Sequence, residues 1–235
     1  VTLAVRDTHL RELMDDPDCD LGRLHTTLRR FSVVNRLVSG WGAVYRSRVA
    51  PYLRRIERPA RVLDLGCGGG DVIARLAALA RADGLDAEWL GVDPDERALT
   101  VARRYAAPGI RFEAMDSAAL RAAGERFDLV ISNHVLHHLD EAAFAAFRDD
   151  SLALVDGGSR GLVLHGDIAR GRAAYGLYAV GITPLAPGSF LRTDGLRSIR
   201  RSFTAPELAG ALGPGWRVER PAPFRVLAVA GGGDA

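Results

Sequence analysis

The sequence holds no lysine, and all 31 of its basic residues are arginine. With 26 glycines and many alanines, this usage points to a GC-rich genome rather than to a function. Cysteine is nearly as scarce. Cys19 and Cys67 are too few for a disulfide framework or a zinc site. No run of about 18 apolar residues occurs, so no membrane span is expected. Val1 to Asp20 is mixed and charged, without the apolar segment of a signal peptide, and the chain reads as cytoplasmic. Charge bias is missing too. A formal net charge of +2 is too small to argue for nucleic acid, and the arginines are interleaved with acids as on a solvated surface. There is no internal repeat and no low-complexity linker.

What is present is a core-forming chain of 235 residues, 48% apolar, long enough for one domain or one domain with a cap. It is organised around Val62-Leu63-Asp64-Leu65-Gly66-Cys67-Gly68-Gly69-Gly70-Asp71. An apolar strand ends in a glycine-rich turn, and a helical pattern follows at once. Only glycine lets a backbone come so close to a ligand while tolerating φ > 0. The N–H groups of the opening helix then face that ligand. A dinucleotide fingerprint would need its third glycine at Asp71, so that reading fails. The plain alternative is a strand–turn–helix connection with no ligand.

Ahead of this turn the pattern is helical. Asp7 to Met14 reads as a short helix. From Asp20, a plausible N-cap, to Val38, apolar residues recur at helical spacing. Ser39-Gly40-Trp41-Gly42 interrupts, and another helix is expected from about Ala43 to Ile56, before Pro59. After Pro59, strands at Arg61–Leu65, Ala87–Val92, Ile110–Met115, Phe127–Ser132 and Gly161–His165 alternate with helices at Asp71–Ala82, Glu96–Ala106 and Glu141–Val155. Such alternation means a parallel sheet with right-handed crossovers and ligands at the C-terminal strand ends. Ile168 to Arg201 reads as an insertion with one amphipathic stretch, Ala173–Ile182, and a Pro/Gly-rich loop. Thr204-Ala205-Pro206-Glu207 is a capping box opening a helix to about Leu212. Trp216–Arg220 and Phe224–Ala230 read as antiparallel closing strands, and the glycines from Gly231 onward as a frayed end.

Four elements then occur in order. They are Asp64-x-Gly66-x-Gly68-x-Gly70, Gly91-Val92-Asp93-Pro94, Phe112-Glu113-Ala114-Met115-Asp116, and the run from Phe127 through Ser132-Asn133-His134-Val135-Leu136-His137-His138-Leu139. Over residues 60 to 165 this set resembles the class I S-adenosylmethionine (SAM)-dependent methyltransferases of the small-molecule type. The resemblance implies an α/β fold: a Rossmann-like, mostly parallel seven-stranded sheet with helices on both faces. A helical cap over 1–58 would precede a methyltransferase domain over 59–235, with the insertion at about 168–203. The resemblance implies SAM as cofactor, held by Asp64, Gly66, Cys67, Gly68 and Gly70. The ribose would go to Asp93 beside Pro94, the adenine to Asp116 with Met115 and Ser117, and the methionine end to Asn133 and His134. For Asp93 and Asp116 a helix N-cap is the alternative. Arg29-Arg30-Phe31, Asn35-Arg36-Leu37, Trp41, Asp194-Gly195 and Ser198 to Thr204 also look like a bacterial group associated with polyketide or phenolic-lipid pathways.

Methyl transfer is an in-line displacement that rests on positioning, and a protonated phenol acceptor would also benefit from a histidine base. The candidates are His165, at the expected end of the fifth strand and ranked first, then His137 and His138. For each, a hydrogen-bonded structural histidine is the alternative. Asp167 and Arg170 stand where they would orient an acceptor. The Asn/Asp-Pro-Pro-Tyr/Phe motif of nucleic-acid amino methyltransferases is absent after the fourth strand, so nucleic acid is not expected. A magnesium site needs several oxygen ligands, and no such cluster is legible, so no metal is expected. The expected activity is O-methylation of a small hydrophobic, phenolic or polyketide-type acceptor. C- or N-methylation of a quinone or amine, or a non-catalytic SAM binder, stay open, as does a homodimer.

Overall fold

The structure is a computed structural model describing residues 2–155 and 161–232. Seven strands form one sheet: β1 Ala60–Leu65, β2 Ala87–Val92, β3 Ile110–Glu113, β4 Leu129–Asn133, β5 Leu162–Ile168, β6 Trp216–Glu219 and β7 Arg225–Gly231. Their order is β3-β2-β1-β4-β5-β7-β6. The first five strands pair in parallel, and β7 runs antiparallel to both β5 and β6. The chain leaves β1 towards β2 on one side and returns through β4 on the other. This is the reversal point at which open α/β sheets leave a crevice for ligands.

Alternation along the strands separates two cores. Val62, Leu129, Ile131, Leu164 and Val229 face one side, with α2 (Trp41–Val44), α3 (Ala50–Leu53), α4 (Asp71–Ala82) and α5 (Glu96–Ala102). Leu63, Leu65, Val130 and Val163 face the other, where α6 (Ser117–Ala122) and α7 (Glu141–Leu154) contribute Leu120 and Leu154. α10 (Ala205–Leu212) closes this second face through Leu208 and Leu212.

α2 and α3 are joined by a π-helical turn, Tyr45–Val49. Trp41, Val44, Tyr45, Val49 and Leu53 are all buried in the first core. The stretch expected to belong to a cap over 1–58 is thus partly a layer of the central domain. The covering elements are residues 2–20, α1 (Leu21–Val38), α8 (Arg172–Gly181) and α9 (Leu191–Arg201). Asp20 caps α1 through the Arg23 N–H at 2.8 Å, and Thr204 and Glu207 form the expected capping box of α10.

Asp7 to Met14 is not helical. Its donors go to other elements: Asp7 N–H to Arg200 O, and the N–H groups of Leu13 and Met14 to the Asp194 carboxylate at 2.8 and 3.0 Å. Those same bonds explain why α9 escapes an apolar-period search. Its buried face includes Asp194, Ser198 and Arg201, polar groups satisfied by partners distant in sequence. β5 runs to Ile168 rather than His165, because β7 pairs with its polar end as far as Ile168–Arg225. α5 stops at Ala102 in a 3-10 turn. Gly231 and Gly232 are tied down by Leu162 and the Gly161 carbonyl, and the residues after Gly232 lie outside those described. No described helix is long and apolar enough to cross a membrane.

Candidate functional site

The glycine turn adopts the conformation its sequence demands. Gly66, Gly68 and Gly70 have φ of 70°, 52° and 74°. A Cβ on Gly66 would sit 2.6 Å from Val135 Cγ2. Gly70 serves packing instead, since a Cβ there would meet Phe112 Cε1 at 2.9 Å. Replacing Gly66 by Ala therefore combines backbone strain with a clash, costing about 2 kcal/mol. The melting temperature should fall by roughly 4–8 °C, with weaker cofactor binding by calorimetric titration. An unchanged melting temperature would refute the close approach.

The turn opens into a cavity of about 830 Å³ at the C-terminal ends of the strands. Asp64, Gly66, Cys67, Gly68, Asp93 and Pro94 line it at one end, and Asn133, His134, His137 and His138 line its wall. Asp93 spans the turn and the start of α5: its Oδ2 accepts from Gly68 N–H and its Oδ1 from Asp95 N–H, both at 2.9 Å. Burial pushes its pKa up, against those two bonds. Burial, aided by Asp71 and Asp93, raises the Asp64 pKa further, and Asp64 Oδ1 is buried without a hydrogen-bond partner. Burial also raises the Cys67 thiol, which argues against a nucleophilic role.

The cavity does not extend to Gly70 or to Met115, Asp116 and Ser117. α6 begins directly after Asp116, so the Asp116 carboxylate caps it through Ala119 N–H at 2.8 Å, and Ser117 Oγ bonds Asp150. The helix-cap alternative describes Asp116 here.

His165 is also elsewhere. Because β5 continues past it, its ring lies mid-strand on the α7 face, stacked on Trp216 at 5.6 Å and near Phe147 at 5.1 Å. Ser132 Oγ holds its Nδ1 at 2.8 Å, and burial lowers its pKa to about 3. It is fully buried and does not line the cavity, so the expectation of a base at His165 is corrected to a structural histidine.

Beyond β4 the backbone takes a left-handed step at His134, φ 64°, a strained conformation for a residue with a side chain. Arg225, at the start of β7, explains it. Its guanidinium donates to His134 Nε2 and to Asn133 Oδ1, each at 2.8 Å. Since guanidinium only donates, Nε2 must accept, which places the ring proton on Nδ1. Burial and the Arg225 charge keep His134 neutral, while burial brings Arg225 itself down to about 10. Sequence reasoning missed Arg225, although an arginine opening an otherwise apolar strand was a readable signal.

The 3-10 turn Leu136–His138 carries the other two histidines. Asp167 takes His137 Nδ1 at 2.7 Å and the His137 N–H at 3.0 Å. Burial opposes charging of His137, but Asp167 and Glu12 outweigh it and raise its pKa to about 9. His138 Nδ1 contacts Asp15 at 3.2 Å. Arg201 donates to the carbonyls of both histidines at 3.1 and 3.0 Å, and Arg6 to that of His137 at 3.2 Å. Arg170, expected to orient an acceptor, instead ties Leu3 O, Ser202 O and Glu207 together. Glu12 and Asp15 reach the site from the N-terminal segment, and no local pattern marked them.

Residues 62–158 match the family model described as a methyltransferase domain. Among curated proteins, the ubiquinone biosynthesis O-methyltransferase of Sinorhizobium medicae is 34% identical over 111 residues, covering 43% of this chain and 42% of its own length. That of Brucella ovis is 34% identical over 124 residues, covering 52% and 46%. The chain thus spans less than half the length of these relatives. Among solved structures, the plantazolicin methyltransferase BpumL in complex with SAH and a triazolic desmethylPZN analog superposes with a TM-score of 0.61 at 12% identity, covering 86% of this chain and 88% of that one. An O-methyltransferase-like protein from Nostoc punctiforme gives 0.56 at 19% identity, covering 86% and 59%.

Proposed function

We propose that this chain, a class I SAM-dependent methyltransferase by its fold and its domain match, O-methylates a small hydrophobic phenolic, quinol or polyketide-type acceptor. The observation that carries this reading is the single cavity joining the glycine turn to an apolar mouth. About 830 Å³ lies in the upper range for small-molecule sites and leaves room for a cofactor and an acceptor together. Leu37, Val38, Leu177 and Phe224 line it and are also exposed, Leu37 to 76% and Leu177 to 64%. Exposed apolar side chains gathered at a mouth suit an apolar ligand.

The donor set fits SAM. The glycine turn offers the close backbone approach, Asp93 the acceptors for ribose hydroxyls, and the orphaned Asp64 Oδ1 an acceptor for a cationic methionine end. When bound, the cofactor supplies an electrophilic methyl on a sulfonium. The protein's own part is to orient, to exclude water and to handle one proton. His134 presents Nδ1–H as a fixed donor, with no protein partner for it among the described residues. Residues before α1, together with α8 and α9, line the cavity, where a bound apolar acceptor would displace water from the reacting atoms. The proton of an acceptor hydroxyl falls to the cluster of Glu12, His137 and His138. The ubiquinone O-methyltransferase name of the relatives supports a hydroxyl acceptor on an aromatic ring.

The test is S-adenosylhomocysteine release across phenols, alkylresorcinols, quinols, aromatic polyketide acids and amines. Turnover is expected on a hydroxylated aromatic. Turnover on amines alone would overturn O-methylation. Silence across the panel with SAM bound would favour a non-catalytic binder.

A further inference from the structure

The cluster of Glu12, His137 and His138 on the cavity wall has a geometry that goes beyond taking up an acceptor proton. His137 Nε2 lies 3.3 Å from Glu12 Oε1, and His138 Nε2 lies 3.7 Å from the same oxygen. The three ligand atoms stand within 4.8 Å of one another. We propose that Glu12, His137 and His138 form a binding site for a divalent transition-metal ion, held through the two Nε2 atoms and Glu12 Oε1, with its remaining positions facing the cavity.

Four observations carry this. First, the spacing fits: ligands about 2.0–2.1 Å from a tetrahedral centre stand roughly 3.4 Å apart. Second, His137 Nε2 is buried, and the group it faces is the Glu12 carboxylate at 3.3 Å, longer than a close charge-assisted bond. A divalent cation between them would take the place of the proton shared by this pair. Third, both rings already engage carboxylates through Nδ1, His137 with Asp167 at 2.7 Å and His138 with Asp15 at 3.2 Å. That arrangement orients both rings with Nε2 towards Glu12, as second-shell carboxylates orient metal-bound histidines, and an incoming ion displaces any proton held on Nε2. Ser198 Oγ likewise orients Glu12 at 2.6 Å. Fourth, the site is preassembled and reachable. Arg6 and Arg201 clamp the turn that carries both histidines, and all three ligands line the cavity.

Two imidazoles and a carboxylate favour zinc, iron or manganese rather than magnesium or calcium, which take oxygen ligands. The sequence-based expectation of no metal looked for an oxygen set. The set found here is nitrogen-rich and is completed by Glu12 from a separate segment. Three protein ligands with open positions are the pattern of reactive rather than structural sites. The ion's part in the reaction, holding an acceptor hydroxyl oxygen and lowering its pKa, rests on the proposed methyl transfer. Its binding does not.

Tag-free protein stripped with a chelator is titrated with Zn²⁺ by calorimetry and with Co²⁺ by visible absorption. One ion per chain is expected, with cobalt bands of a mixed nitrogen and oxygen site. Asp15→Asn should weaken binding about 10–100-fold, and Glu12→Gln and His138→Ala by more than that. SAM titration and thermal unfolding of each variant report whether it is folded. No saturable binding by the stripped wild type overturns the site, as does equal binding by folded Glu12→Gln and His138→Ala. Wild type that binds SAM but no ion overturns this inference and leaves methyl transfer standing. Wild type that binds the ion but no SAM does the reverse.

Discussion

Asp93→Asn is expected to weaken SAM binding about 30- to 150-fold while leaving the fold intact. The carboxylate stands at the end of β2, in the cavity, with a backbone N–H already on each oxygen. Each oxygen keeps a lone pair for a ribose hydroxyl, and an ionised acceptor makes such bonds about twice as strong as a neutral one. Asparagine keeps one acceptor and replaces the other by a donor, so roughly 2–3 kcal/mol of binding is lost. Stability changes less, because two effects oppose each other. One of the Gly68 and Asp95 bonds loses its acceptor. In return, a charge is removed from a buried group of acids in which Asp93 raises the pKa of Asp64. Calorimetric titration with SAM and S-adenosylhomocysteine, alongside thermal unfolding, reads both quantities. Unchanged affinity would sink the assignment of Asp93 to the cofactor.

The second large effect is on stability against acid. His165 has a folded pKa of about 3, well below the unfolded value of 6.5, because burial between Phe147 and Trp216 penalises its charge. The folded state therefore binds fewer protons than the unfolded one between those values. The stabilising contribution of a neutral His165 is fully present above pH 6.5 and is lost as pH falls towards 3. The slope is about 1.4 kcal/mol per pH unit, so at pH 5 roughly 2 kcal/mol is gone. His134, also held neutral, adds a slope of the same sign. His165→Asn keeps a partner for Ser132 and removes the titrating ring. It should lower stability at pH 7.5 yet flatten the decline between pH 6.5 and 5 when denaturant unfolding is compared with wild type. If the two slopes coincide, His165 titrates normally and is not the sealed group described. Methyl transfer at pH 7.5 should survive in folded His165→Asn, since the ring does not reach the cavity.

The difference between His165 and His137 shows where the sequence ran out. The apolar run ending at His165 marked a strand end, and a strand end in this architecture is where chemistry sits. The pairing of β5 with β7 moved that end to Ile168. His165 thus sits mid-strand under α7, and Asp167, on the same face but two residues nearer the strand end, meets His137. Asp116 was lost from the cavity for a related reason: α6 starts immediately, and the Asp116 carboxylate turns to the Ala119 N–H of the first turn, away from the cavity lining.

What the sequence determined by itself was the local grammar. The glycine turn, the acid ending β2, the helix over Asp71–Ala82, the capping box at Thr204 and the antiparallel closing strands are fixed by φ preference, periodicity and neighbours a few residues away. The tertiary structure decided what depends on side chains meeting across long stretches of chain. Only there does Arg225 set the tautomer of His134, Asp194 hold the N-terminal segment in place of a helix, and Glu12 arrive opposite two histidines. Those contacts join elements that share no sequence period, so burial and charge pairing, rather than local propensity, determine them.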